Sequence, residues 1–220
     1  MKAPFSTYLD QLTPLCKELV ERLDPLYDYV SLLATDSVGL SLRIAQRRKS
    51  VSNSNMTTER GIVVRAAKNG LYSEYAFDCP GDRSAEALAE EIRKTLDAQL
   101  ALLAKTGTKP YETGALEDEP LELFVEKEAE ELPEEADLSR LVDFFTELSN
   151  KGMETVEGAL DVILSGNSTH ISKLFLTKHR FLRQSYVYTA GNSITYAPNA
   201  EGELKTVYRG ASGCGGVEIL

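Results

Sequence analysis

Apolar residues recur at three- and four-residue steps through Leu9, Leu12, Leu15, Cys16, Leu19, Val20 and Leu23. That spacing predicts an amphipathic helix over residues 5–24. Pro14 lies inside the pattern, where a helix starts or kinks, and Asp24-Pro25 ends it. The stripe reads as core rather than as a partner interface. From Tyr29 the period changes, and YVSLLA and VGLSLRIAQ read as two strands. In the second, Val38, Leu40, Leu42 and Ile44 alternate with smaller or polar residues. After the polar stretch SVSNSNMTTE, two more strand patterns, Ile62–Val64 and Tyr72–Phe77, flank Asn69-Gly70. Asn-Gly supplies the two positive-φ residues of a type I′ turn, so this is a β-hairpin. Ser84 is a predicted N-cap, and Leu88, Ile92, Leu96, Leu100 and Leu103 form a second helical stripe ending near Gly107.

The pattern in the second half is helix, then strands. Leu138, Leu141, Val142, Phe145 and Leu148 predict a short helix over 138–150. Beyond Val156, strands centred on DVILS, SKLFLT, RQSYVYTA, NSITYA and LKTVYRG are separated by Gly-Asn, Gly-Asn and Glu-Gly turn signals. Tyr186 and Tyr188 share one strand face, read as cross-strand packing rather than as a stacking surface for peptide. The end, YRGASGCGGVEIL, has four glycines in seven residues and reads as flexible or tightly turned. The whole is an α+β fold: helix, antiparallel sheet and helix, followed by a short helix and a largely antiparallel β region.

Charge divides the chain more sharply than hydropathy does. Residues 1–116 and 138–220 are each balanced, with 15 and 8 acids against 15 and 8 bases. The window 117–137 holds 11 acids and only Lys127 as a base, so the net charge of −10 sits there. Pro120 and Pro133 interrupt it. The expected organisation is an α+β domain over 1–116, an acidic solvated linker over 117–137 whose EKEAEEL stretch could add some helix, and a β-rich domain over 138–220. A docking surface for a basic partner is the sharper reading of the same window. The chain's 220 residues and 42% hydrophobic content suffice for such cores. An acidic chain is a poor bulk binder of nucleic acid. There is no apolar run of membrane-spanning length and no secretory pattern at the start. Three widely spaced cysteines (Cys16, Cys79, Cys214) fit a reducing cytoplasm better than a disulfide framework.

Candidate chemistry is sparse. The only histidines, His170 and His179, are nine apart in strand-like sequence, and no paired-cysteine motif exists. Ser212 lies among glycines without the strand–turn–helix setting of a nucleophile elbow. A Cys214–His170 pair is open in space but unsupported by spacing. The basic cluster Arg47, Arg48 and Lys49 reads as a guarded strand end, with an anion site as the weaker reading. No catalytic, cofactor-binding or metal residue is assigned.

The order of these elements nevertheless resembles a known family. Glu59-Arg60-Gly61 precedes an apolar strand with Val64 and Arg65. Asn69-Gly70, the aromatic strand YSEYAF, the helix AEALAEEIRKTLDAQLALL and the closing RGASGCGGVEIL follow in order. Together they resemble the N-terminal and central domains of the TldD/PmbA family, also called modulators of DNA gyrase. The basic loop after Ala45 and the density of acids in 117–137 depart from the family pattern. The resemblance implies a zinc-dependent peptidase of unfolded or small peptides, working as a homodimer or paired with a TldD/PmbA relative. It also implies that the zinc is held by a His-Glu-x-x-x-His helix and a cysteine in a C-terminal domain beyond Leu220. On this reading the chain is the non-catalytic N-terminal and central portion, forming dimer shell and substrate passage, with no cofactor of its own. The alternative is a stand-alone peptide-binding or regulatory module that pairs with such a relative. A genuine stop after Leu220 is expected to leave VEIL docked in the fold; a truncation is expected to leave it frayed.

Overall fold

The computed structural model describes residues 1–52, 59–107 and 118–220. The middle of the polar stretch after Val51, the end of the expected first domain (108–116) and Glu117 lie outside these residues. Among the described residues there are three helices: α1 (Thr7–Leu23), α2 (Ala85–Thr106) and α3 (Leu138–Thr155). There are eight strands: β1 (Tyr29–Ala45), β2 (Arg48–Ser52), β3 (Arg60–Lys68), β4 (Leu71–Phe77), β5 (Leu121–Glu126), β6 (Asp161–Leu176), β7 (Arg180–Pro198) and β8 (Leu204–Cys214). The fold is α+β, as the pattern predicts. No helix among them is long and apolar enough to cross a membrane.

All eight strands belong to one sheet, ordered β4-β3-β1-β6-β7-β5. Its spine is three long antiparallel strands, β1, β6 and β7, of 17, 16 and 19 residues. At roughly 3.3 Å per residue they are about 53–63 Å long. Every short strand pairs with part of this spine or extends it. The first half of β1 pairs with β3 and its end with β2. The first third of β7 pairs in parallel with β5, and the rest pairs antiparallel with β8.

Local signals explain the helix ends and hairpins. Ser6, Ser84 and Asp137 cap α1, α2 and α3 by accepting from backbone amides three residues on. Helix α1 starts at Ser6 and runs through Pro14, so the proline does not mark its beginning. Asn69 and Gly70 have φ of 54° and 74° and turn β3 into β4, as the Asn-Gly pair predicts. The basic Arg48 and Lys49 open β2, a short edge strand.

Strand continuity differs from expectation. YVSLLA and VGLSLRIAQ are one strand, β1, despite the polar Thr35, Asp36 and Ser37 between them. Asp36 and Ser37 are buried there; Asp36 accepts from Ser6 and Arg60, and the Ser37 hydroxyl oxygen accepts from the Glu59 amide at 2.9 Å. Gly166-Asn167 and Gly191-Asn192 are not turns. Gly166 and Gly191 face each other in the middle of β6 and β7. A Cβ on Gly166 would sit 2.9 Å from Leu220 methyl carbons and 3.2 Å from the Phe145 ring. Close packing, not chain reversal, requires glycine at that position. The actual β6–β7 turn is at Thr177–His179, where the Thr177 hydroxyl accepts from the His179 and Arg180 amides.

The three helices all cover one face of the sheet, at its two ends. Helices α1 and α2 pack on Val30, Leu32, Ala34, Ile62, Val64, Leu174 and Leu176. Helix α3 packs on Leu40, Leu42 and Ile44, joined by Val217. Each core thus takes strand residues from both sides of the acidic window. β1 and β6 pair along 13 positions, so the sheet runs unbroken between 1–116 and 138–220.

The acidic segment is not a solvated linker in its described part, 118–137. It carries β5, and its EKEAEEL stretch is not helical. Ala129 and Leu132 are buried with Ala3 and Val187. The Ala3 amide donates to the Lys127 carbonyl (2.8 Å) and the Ala129 amide to the Met1 carbonyl (2.8 Å). Apolar residues spaced among the acids give this segment a buried edge. The net-charge count hid them.

VEIL is docked: Val217 is 3% exposed and Leu220 packs beside Gly166. Gly216 approaches the Glu131 backbone so closely that a Cβ would overlap its carbonyl oxygen. Gly216→Ala and Gly166→Val should each cost about 1–3 kcal/mol by overpacking. Gly213→Ala, whose Cβ would meet only Ile219 at 3.9 Å, should be close to neutral. Urea unfolding of the three variants checks this.

Candidate functional site: a buried polar seam across the sheet

Between the two apolar cores, the helix-side face of the sheet is polar. Strand alternation and register place Asp36 of β1, Ser168, His170 and Ser172 of β6, and Ser185 and Thr189 of β7 on that face. All six are at most 8% exposed. Buried polar groups require partners, and each has one. Asp36 accepts from the Ser6 hydroxyl at 2.5 Å and from Arg60 Nε at 3.0 Å. The Ser6 amide donates to Ser172 Oγ (3.0 Å), which lies 3.1 Å from Ser185 Oγ. Ser168 and Thr189 hydroxyls are 2.7 Å apart, and Thr189 donates to the Gly215 carbonyl.

His170 is the centre of the seam. Its Nδ1 is 2.6 Å from Glu134 Oε1, and its Nε2 is 2.9 Å from Ser185 Oγ and 3.0 Å from the Pro4 carbonyl oxygen. Serine, histidine and carboxylate in that order match the distances of a nucleophile, a base and its orienting acid. The rest of the geometry does not fit catalysis. Ser185 is fully buried, and its hydroxyl donates to the Pro4 carbonyl at 2.9 Å. Its lone pairs, not its hydrogen, therefore face His170. The cluster reads a main-chain carbonyl of the N-terminal segment and holds that segment on the sheet. Phe5 and Phe124 continue the clamp: they meet edge to face with ring centres 5.9 Å apart, and the Arg183 guanidinium lies 4.3 and 4.5 Å from those centres.

Two carboxyl groups in this region titrate low. Burial alone would raise Glu134, but hydrogen bonds from His170 and from its own backbone, with the His170 charge, more than offset it. Burial likewise acts on Glu218, and its backbone-amide bonds overcome it. The Glu218 carboxylate accepts from the amides of Glu130, Glu131 and Gly216, tying the C-terminal turn to the acidic segment.

The other sequence candidates are dispersed. Cys214 lies at the end of β8 opposite Tyr188, on the helix-free face, whereas His170 is on the helix-covered face. The sheet separates them. His179 is exposed in the β6–β7 turn. Cys16 is in the core, where burial pushes its thiol up to about 12. Cys79 is exposed beyond β4. Ser212 lies in β8 and accepts from the Tyr188 hydroxyl. Tyr186 and Tyr188 share the helix-free face, with Lys173 stacked 5.9 Å from the Tyr186 ring. Among the described residues, no three His, Cys, Asp or Glu side chains converge as metal ligands. These residues do not fit a zinc site. The seam itself was missed in sequence. Its only signal was a set of polar residues at every second position inside otherwise apolar strands.

Comparison with known proteins bears on the fold. No protein-family model and no curated protein match the chain. Solved structures do. A candidate modulator of DNA gyrase from Bacteroides thetaiotaomicron superposes with a TM-score of 0.69 over 96% of this chain, at 11% identity. A second, from Thermotoga maritima, gives 0.66 over 95% at 12% identity. TldE from Thermococcus kodakarensis gives 0.53 over 90% at 14%. The chain has the TldD/PmbA fold. It spans 47%, 44% and 42% of those three chains, under half of each. At such identities the TldD/PmbA likeness concerns the fold alone.

The seam generates a pH prediction. Both depressed carboxyls stabilise the fold fully above the ordinary carboxylate range, about 4.3. That contribution is lost as pH falls through their lower folded-state values. Glu134→Gln should flatten the acid limb of the stability–pH curve, leaving less to lose below about pH 4. His170→Leu should cost about 1–3 kcal/mol at neutral pH by removing the ring that bonds the Glu134 carboxylate and Ser185 Oγ. Urea titrations across pH read both.

Proposed function

We propose that this chain is the non-catalytic N-terminal and central portion of a TldD-like zinc metallopeptidase acting on unfolded or small peptides. It builds the dimer shell and the wall of the substrate passage. One observation carries this reading: the superposition covers 96% of this chain but only 47% of its Bacteroides neighbour. The scatter of His and Cys described above supports it, since chemistry then belongs to another part of the assembly. In that setting the chain works in the cytoplasm, as a homodimer or paired with a TldD/PmbA relative, without direct nucleic-acid contact.

A second reading, a stand-alone peptide-binding or regulatory module, is favoured by β8. This 11-residue edge strand is exposed along nearly its whole length, and it contains no proline and only Lys205 and Arg209 as charges. Such an edge can take an added strand by backbone hydrogen bonding.

The test is metal analysis and peptide cleavage on the purified chain after incubation with zinc. The proposal expects zinc well below one equivalent and no cleavage. Stoichiometric zinc with cleavage overturns both readings. Tight peptide binding without cleavage, lost when the peptide backbone is N-methylated, favours the second.

A further inference from the structure

Among the described residues, no helix covers the opposite face of the sheet, and the register shows what lies on it. One row crosses six strands without a polar residue: Ala76, Val63, Leu33, Phe175, Leu182 and Leu123. Leu33 is 37% exposed and Leu123 50%. Tyr188 and Tyr208, further along the same face, are 45% and 59% exposed. An antiparallel sheet with one face covered ordinarily presents polar residues on the other. A contiguous apolar strip there marks a contact surface.

Charge narrows the occupant. Strand positions on this face carry five cations, Arg43, Arg48, Arg65, Lys173 and Arg180, against two carboxylates, Glu74 and Asp161. Arg65 and Glu74 pair with each other, at 2.5 Å. The chain as a whole is −10. The molecule is therefore polarised, with a basic apolar face on an acidic body. Two copies meeting through this face would oppose like charges around the apolar row. An occupant rimmed with carboxylates would complement it.

We propose that the helix-free face, centred on the row from Val63 to Leu123, is a docking surface for a protein partner with an apolar centre and an acidic rim. This stands apart from the peptidase assignment and survives its failure. The occupant packs on the sheet as a second layer about 10 Å away, the usual spacing of stacked sheets. Lys173 and Arg43 steer it, and the apolar row supplies the contact.

Two labelled dodecapeptides test the chemistry, one alternating leucine with glutamate and one alternating leucine with lysine. Fluorescence anisotropy should show saturable binding of the glutamate peptide, at least about tenfold tighter than the lysine peptide and weakening with salt. Lys173→Glu and Leu123→Glu should each weaken it several-fold while thermal melting stays near wild type. Leu123 is half exposed on an edge strand, so that variant tests the face even if Lys173→Glu melts early. A photo-crosslinker in the peptide should label β1, β6 and β7 residues of this face. Equal affinity for both peptides, indifference to both substitutions, or crosslinks on α1–α3 would overturn the proposal. So would self-association that Leu123→Glu breaks, or tighter binding to phosphatidylglycerol vesicles than to the glutamate peptide.

Discussion

Three strands of 16 to 19 residues can run side by side only if every polar group they bury finds a partner. Asp36, His170, Ser172 and Ser185 lie where the apolar cores stop, too far under the N-terminal segment for free access to water. Each unpaired group there would cost about 1–3 kcal/mol. The partners come from segments remote in sequence: Pro4 and Ser6 from the start, Glu134 from the acidic window, Gly215 from the end. Satisfying the seam therefore fixes the paths of three non-strand segments at once. It also explains why β1 continues through polar residues that would ordinarily break a strand.

The acidic window takes its place from the same constraint. Its apolar residues close a small cluster with Ala3 and Val187, and its Glu134 completes His170. Its backbone amides receive Glu218. Negative charge is thereby held on the helix side and along one edge, while the strand side that faces outward is left net positive. A sheet so divided is a wall with two different faces.

Local chemistry in the sequence revealed the elements well and their extent poorly. The Asn69-Gly70 hairpin, the Ser84 cap and the stripes of α1 and α2 depend on neighbours within a few residues, so they were legible. Strand length was not. Gly166 and Gly191 look like turn residues until Leu220 and Phe145, distant in sequence, are seen pressing on β6 and β7. β5 was hidden because 11 acids in 21 positions outweigh Leu121, Leu123 and Val125 in any composition window. The seam was hidden because every member but Asp36 is an ordinary strand-compatible Ser, Thr or His, and only register brings them into line. The resemblance to TldD/PmbA anticipated the fold without indicating any of these contacts.

Native-state hydrogen exchange along β1 reads whether one clasped spine joins both ends of the sheet. Amides around Leu32 and around Leu42 should exchange with the same opening free energy, equal to that of global unfolding. His170→Leu should lower the two together. Two distinct opening free energies, one for the α1–α2 end and one for the α3 end, with His170→Leu affecting only one of them, would contradict it.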